Sequence, residues 1–435
     1  MTADGAQRTD STQVISAVLE LNRLELLGES VRAALEALAT AAPGWLAESF
    51  PTVVLGEWAE RYGPRINSWQ IPSAKAKREQ LGAVFAADAY AICSAAWEDR
   101  APVWVREIEH VELLRQVPVQ TAVVDGTDVK GRVALRLREK PDGVPPGALR
   151  LASPYDTDAR WGSHGQREGR DVFWLGCTAH LTETCRPHDS TADPPPGPNL
   201  ITDVHTTHAA APDLTATAGI GRRLAAHGLA PAEHSLDAGY PSTRIVADAA
   251  AHGTTMITPL LRGSSRALTG FRHDVFRIDW TARQATCPQG RTSSGWYPCR
   301  QHGQDAIVVE FARTDYRPCP VRAQCTTAKR GFRSLSIHPD PALHTTLHTA
   351  RATQHASSWE RKYALRAGIE GTINQALDVT DLRQARYRGL RKTRLQHAFS
   401  AAALNLIRLD AYWNDPAPRP RHTSRLMRLY TQLAP

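Results

Sequence analysis

Apolar residues recur along the chain with two different periods, and the changes of period mark out its elements. Residues 9–15 (TDSTQVI) are β-rich and predict a short strand almost at the N-terminus. Helical spacing follows: Val18, Leu21, Leu24, Leu27, Val31, Leu35 and Leu38 fall on one face, and Ala42-Pro43 closes the run. A second helix is predicted over 45–62 and a third over 75–97, with Ser73 as its cap. The block 16–117 thus reads as a helical unit.

From 119 the pattern alternates. VQTAVVDG and RVALRLREK predict a hairpin, and a polar stretch, SPYDTDARWGSHGQREGRD, follows it. Strands are predicted over 172–183 and 199–207, separated by the proline-rich loop DPPPGPN. Next come a helix (213–227), a strand in EHSLDAG, a helix opening at Pro241 (241–251) and a strand in TTMITPL. This strand–strand–helix–strand–helix–strand order predicts an α/β core over 118–261. Residues 262–338 read as an irregular cysteine-bearing insertion with short strands in FRIDW, DAIVVEFA and FRSLSIH. Two long helices are predicted over 341–375 and 383–411, in a C-terminal region of 339–415, and a basic Pro/Arg-rich tail over 416–435.

Composition narrows the class. Apolar residues make up 42% and charged residues 22% of the 435, which is ordinary globular usage and excludes a disordered or collagen-like chain. No uncharged apolar run is long enough to span a bilayer, so no membrane partner is expected, and MTADGAQRTD lacks the apolar core of a secretion signal. The charge of +8 matters through its placement. Arg383, Arg386, Arg388, Arg391, Lys392 and Arg394 follow one another with no acid between them, a candidate phosphate-contacting surface; Tyr387 lies among them. The bland alternative is a solvated helix face. The apolar side of that helix, Phe399, Leu404 and Ile407, is expected in the core.

Acids near strand ends are the candidates for chemistry: Asp10 in TDSTQV, Asp125 in VVDGTDV and Asp237 in SLDAGY, with Glu370 on a following helix. Three converging carboxylates can hold two Mg²⁺ ions about 4 Å apart for in-line phosphoryl transfer, because Mg²⁺ takes hard oxygen ligands and needs few of them. Alone, each such aspartate is more commonly a turn or helix cap. Tyr363, Arg366 and Glu370 are spaced by three and four and would share one helix face, as phosphate and metal contacts or as a plain Arg–Glu pair. Cys287, Cys299, Cys319 and Cys325 could bind a structural Zn²⁺, yet no C-x2-C pair is present, and ordinary thiols are the alternative. His180 reads as a packed histidine and Asp203 as a pairing residue.

Taken together, TDSTQV with ELNRLELLGE, SPYDTDARWG, HLTETC, PNLITDV, EHSLDAGYPS, CPQG, CPVRAQCT, YALRAGIEGTINQ and RYRGLRKTRLQHAFSAAALNLIRLDAYW resemble a bacterial insertion-sequence transposase of the DDE type. The resemblance runs from about Thr9 to Arg428. It implies an RNase H-like mixed sheet flanked by helices, with a helical insert and a cysteine-bearing insert. It implies two-metal DNA cleavage and strand transfer with Mg²⁺ (Mn²⁺ as a substitute), DNA as element ends and target, a homo-oligomer on paired ends, and a bacterial cytoplasmic, nucleoid-associated location. It favours Asp10 over Asp125 as the first carboxylate, directly before the helical insert, with Asp237 and Glu370 completing the metal-binding set and Tyr363 and Arg366 contacting DNA.

The chain departs from that family in three places. Only nine residues precede Asp10, where relatives carry an N-terminal helical region. Gly176–His180 (GCTAH) replaces a basic, aromatic strand. Tyr316 stands where relatives often have a further Cys. A non-enzymatic DNA-binding remnant, or a metal-dependent nuclease without strand transfer, would share most of these features.

Overall fold

The N-terminal strand forms as its β-branched residues predict, and it lies in the middle of a sheet. The computed structural model describes residues 5–127, 131–167, 170–186, 197–260, 271, 275–301, 304–326, 332–414 and 433; the tail expected over 416–435 lies, but for Leu433, outside them. β1 (Ala6–Ile15) leads into α1 (Arg23–Ala41), α2 (Pro43–Ser49), α3 (Thr52–Tyr62), α4 (Lys75–Ala96) and α5 (Glu109–Thr121), then the hairpin β2 (Ala122–Thr127) and β3 (Val133–Leu137). β4 (Arg160–Arg167), β5 (Arg170–Thr184), β6 (Ile201–His208), α6 (Leu214–Ala226), β7 (Glu233–Leu236), α7 (Thr243–Ala251) and β8 (Thr255–Ile257) follow. The cysteine-bearing segment holds β9 (Arg277–Asp279), β10 (Gln284–Thr286), β11 (Gly295–Gln301), β12 (Gln304–Glu310), the single-turn helices α8 (Arg313–Tyr316) and α9 (Arg322–Cys325), and β13 (Ser334–Ile337). α10 (Pro341–Thr353), α11 (Ser357–Ala364), α12 (Gly368–Thr380) and α13 (Leu390–Asn414) come last.

The central sheet runs β6-β5-β1-β7-β8. β5 is antiparallel to β1, with Asp10 opposite Leu181, and β6 is antiparallel to β5. β7 and β8 run parallel to β1, with Thr9 opposite Leu236. β4 pairs with the first half of β5. Where β5 passes from β4 to β1 stands Gly176; a Cβ there would lie 2.0 Å from the Val14 carbonyl oxygen, so no other residue fits. Leu181 packs with Ile369, Ile373 and Leu404 of α12 and α13, while its neighbour His180 meets Tyr240 on the opposite face. Helices therefore cover both faces, and the fold is the RNase H-like mixed α/β sheet expected.

The helices between β1 and β2 have their own core, including Leu27, Val31, Leu38, Phe85, Ile92 and Leu114. Asn22 and Glu25 close a capping box at the start of α1. The cysteine-bearing segment likewise packs around Val309, Phe311, Leu335 and Ile337. Among the described residues no helix is long and apolar enough to cross a membrane.

Several expected elements differ. The helix over 45–62 is broken at Pro51, which pushes Phe50 into extended backbone. Ser73 does not cap α4; Ala74 holds that position without a side-chain hydrogen bond. The polar stretch after 153 contains β4, and β10 and β11 were not expected either. The helix predicted over 341–375 is divided into α10, α11, a 3₁₀ turn (Leu365–Ala367) and α12. The last helix starts at 390, not 383, because Arg383 and Ala385 bond to the Ile15 backbone as an added edge; the Leu390 N–H then donates to the Asp158 carboxylate at 2.8 Å.

Buried polar groups on the two faces of the sheet pair across elements. Glu183 on β5 is fully buried. Arg8 of β1 donates to its Oε1 at 2.7 Å, and Thr372 of α12 and Arg408 of α13 donate to its Oε2 at 2.6 and 2.9 Å. Thr9 Oγ1 lies 2.7 Å from both Thr182 Oγ1 and His234 Nε2, and Thr206 Oγ1 lies 2.8 Å from His397 Nδ1.

Two predictions follow from this core. Replacing Glu183 with Ala leaves two arginines without their buried partner and should lower stability by about 3–5 kcal/mol, read from the guanidinium unfolding midpoint. Burial, the chief cause in each case, lowers His180 to about 3 and both His234 and His397 to about 4 from 6.5. The unfolded chain thus takes up protons below about pH 6.5 while the folded chain stays neutral there. Stability should fall as pH drops from about 6.5 towards 4, on the order of 1 kcal/mol per histidine by about pH 5.5, checked by unfolding curves at the two pH values.

Candidate active site

The parallel register of β1 and β7 determines where the first two acids stand. Thr9 is opposite Leu236, so Asp10 and Asp237 come next to each other at the same ends of neighbouring strands. Asp10 Oδ1 accepts the Ser11 N–H at 2.8 Å, and Asp237 Oδ1 accepts the Ala238 N–H at 2.7 Å. Burial raises the Asp10 carboxyl above its ordinary 3.8; the neighbouring Asp237 charge adds to this, while the Ser11 amide and Arg366 oppose it.

The third acid arrives from the C-terminal helices. Arg366 donates to Asp10 Oδ2 at 2.6 Å, and its other terminal nitrogen lies 3.7 Å from Glu370 Oε1. The guanidinium also sits 5.7 Å over the Tyr363 ring; Tyr363 stacks on Trp359 and donates to Asp237 Oδ1 at 3.5 Å. The three residues do not share one α-helix, contrary to expectation. Tyr363 ends α11, Arg366 lies in the 3₁₀ turn and Glu370 opens α12. Arg8 explains the break. Its Nη1 takes the Leu365 carbonyl at 2.6 Å, and its guanidinium fills the space where a Gly368 Cβ would stand, 2.0 Å from Nη1. The ion network under the sheet thereby sets the position of the segment bearing Arg366 and Glu370.

A fourth carboxylate, Asp213, went unnoticed in the sequence. Ser11 Oγ donates to it at 3.4 Å, His180 Nδ1 is 3.8 Å away, and a Gly239 Cβ would meet it at 3.1 Å, so it lies close to both Asp10 and Asp237. An Asp before a helix reads as an N-cap, yet Asp213 makes no capping bond to α6; that role hid it. It lines a cleft of about 380 Å³ with Ser11, Thr12, Trp174 and Arg383. Asp125, by contrast, lies exposed on the β2–β3 hairpin, 3.4 Å from Arg136. His180 is buried between Tyr240 and Thr207, and Asp203 pairs bidentately with Arg223 at 2.8 Å.

The basic residues divide by direction. Arg383 Nε donates to Thr12 Oγ1 at 3.2 Å, two residues from Asp10, and Arg388 lies 5.5 Å over the Tyr155 ring. Arg394 Nε donates to the Thr206 carbonyl at 3.2 Å, while Arg386, Arg391 and Lys392 are exposed.

Among the described residues no group of three or more His, Cys, Asp or Glu side chains is arranged to hold a metal ion; Asp10 and Glu370 are joined through Arg366. The donor chemistry at Asp10, Asp237 and Glu370 still suits a divalent cation: three carboxylates face one guanidinium, and Asp10 is raised by burial and by Asp237. The cysteines do not fit the zinc expectation. Cys287, Cys299, Cys319 and Cys325 are free thiols in no such group, Cys299 lies on β11, and Cys325 sits 3.2 Å from the Tyr316 hydroxyl. Burial raises the Cys325 thiol, which opposes the thiolate a zinc ion requires.

Residues 286–410 match the family model of the transposase DDE domain. No curated protein and no solved structure gives a significant match. The matched segment contains Tyr363, Arg366, Glu370 and the basic residues 383–394; Asp10 and Asp237 precede it. That stretch is under a third of the chain; it resembles a transposase DDE domain and supports a transposase-type nuclease role, in keeping with the mixed sheet.

Proposed function

We propose that the chain cleaves DNA strands and joins them to a target in transposition of an insertion sequence, with two divalent cations, Mg²⁺ by preference, as cofactor. The observation that carries this reading is the meeting of Asp10 and Asp237 at adjacent parallel strand ends, with Glu370 brought to them through Arg366. Asp10, Asp237 and Glu370 would hold the cations, which when bound would supply activation of a water or 3′-hydroxyl and stabilisation of the leaving oxygen. Arg366, whose donors meet Asp10 and Glu370, would turn them to a phosphate oxygen. Tyr363, held by Trp359 and Asp237, would buttress that guanidinium. Arg383, Arg386, Arg388, Arg391, Lys392 and Arg394 would follow the DNA backbone. On this reading 16–117 and 262–338 are insertions into a core made of 1–15, 118–261 and 339–415.

Nicking of supercoiled plasmid with Mg²⁺ or Mn²⁺ tests the proposal. Wild type should nick. Asp10→Asn and Glu370→Gln should each lose more than the roughly 10–100-fold that removal of an outer-shell metal partner costs, and Asp125→Asn should nick normally. Loss in Asp125→Asn alone overturns the choice of Asp10. Binding without nicking points to a remnant, and cleaved but never joined products to a plain nuclease. Removing Arg391 should weaken binding to all sequences and lower the salt slope by about one phosphate contact.

A further inference from the structure

α13 has two apolar faces, and only one of them is covered. Thr393, His397, Ser400, Ala401 and Leu404 are buried against the sheet and α12. The opposite side carries Leu395, Phe399, Ala402, Leu406, Leu409 and Trp413, spaced four, three, four, three and four apart. Phe399, which the sequence led us to expect in the core, is 68% exposed, Leu406 67% and Trp413 70%. This is the heptad seam of a helix that packs against another helix. Residues 395–407 contain no Asp, Glu, Lys or Arg, whereas a helix face meant for water carries them. A groove of about 580 Å³ borders the seam, with Val379 and Tyr387 on its far wall.

We infer that this face pairs with the same face of a second copy of the chain, antiparallel, about a two-fold axis level with Leu404. That axis sets Leu395 against the partner's Trp413, Phe399 against the partner's Leu409, and Ala402 against the partner's Leu406. Each side chain of the seam thus meets another member, and the small Ala402 makes room for a leucine. Charge selects the direction. Exposed Arg391 and Lys392 crowd the N-terminal turn and Asp410 lies near the other end. Antiparallel pairing separates the two basic ends, brings the partner's Asp410 towards one of them, and opposes the helix dipoles. A DNA backbone is the poorer occupant, because beyond Arg394 the one cation along the seam, Arg408, is turned inward to Glu183, and the apolar seam continues for about 30 Å. Aromatic side chains of about 150–250 Å² at two seam positions, with Leu395, Leu406, Val379 and Tyr387, approach the roughly 800 Å² per subunit of a standard interface. The inference is independent of the nuclease proposal.

Sedimentation velocity of the full chain without DNA tests it. Wild type should be a dimer at micromolar concentration. Phe399→Lys and Leu406→Lys should each raise the dimer Kd by roughly tenfold or more, with circular dichroism and Tm unchanged, because both side chains face solvent in the single chain. Trp69→Lys, at a distant exposed position, should leave the dimer intact. Under mild oxidation, a chain with Ala402→Cys should cross-link to one with Leu406→Cys more than either does to itself. A wild-type monomer, including one whose seam its own tail protects, overturns the inference, as does a dimer indifferent to both lysines. Equal cross-linking in all combinations overturns the antiparallel arrangement.

Discussion

A single buried carboxylate does more than any other group to hold the parts of this protein in register. Glu183 has no access to water, and burying a lone charge costs several kcal/mol, so it must be compensated on every side. Its partners come from three elements: Arg8 from β1, Thr372 from α12 and Arg408 from α13, with Arg408 also donating to the Asn199 carbonyl ahead of β6. Arg8 in turn takes the Leu365 carbonyl and interrupts the helix there. The interruption turns Arg366 towards Asp10 and starts α12 with Glu370. The position of the third acid therefore follows from a buried charge on the same face of the sheet, two residues along β1 and β5 from Asp10 and its partner.

The acidic site has the opposite character. Two aspartates stand side by side because a parallel register leaves them no choice, and a third, Asp213, lies near both. One arginine faces Asp10 and Glu370. Burial and like charge raise the Asp10 carboxyl, so the arrangement stores unfavourable electrostatic energy that a cation would relieve. Beneath it, His180, His234 and His397 are neutral and hydrogen-bonded, which keeps additional charge out of the sheet.

Local signals made much of this fold readable. The helical spacing from Val18 to Leu38, the alternation of the hairpin after 119 and the short strand before Asp237 each act within a few residues, and each is visible in the chain. Features that depend on distant partners were not. β4 is polar and is a strand only because β5 pairs with it. The break at Leu365 requires Arg8, 357 residues away. Asp213 looks like a cap and is claimed by Ser11 and His180 instead. Phe399 carries the same apolar signal as Leu404, and only the packing of α13 tells that one faces inward and the other outward. Of the candidate site, the acid at each strand end was legible, while the turn that orients Arg366 was not.

The place of β1 in the sheet bears on the order in which the protein can be built. Its neighbours, β5 and β7, are made some 170 and 230 residues later, and Arg8 finds its last contact only at Leu365. The helices that follow β1 find their core partners among themselves and within the next hundred residues. During synthesis this helical unit can fold while the strand preceding it is still unpaired. The middle of the sheet is thus made well before its partner strands and is among the last parts to be secured. Such high contact order predicts slow completion of the core, and a waiting strand that is polar over Gln7–Gln13 and apolar only at Val14 and Ile15 is less prone to pair with the wrong chain meanwhile.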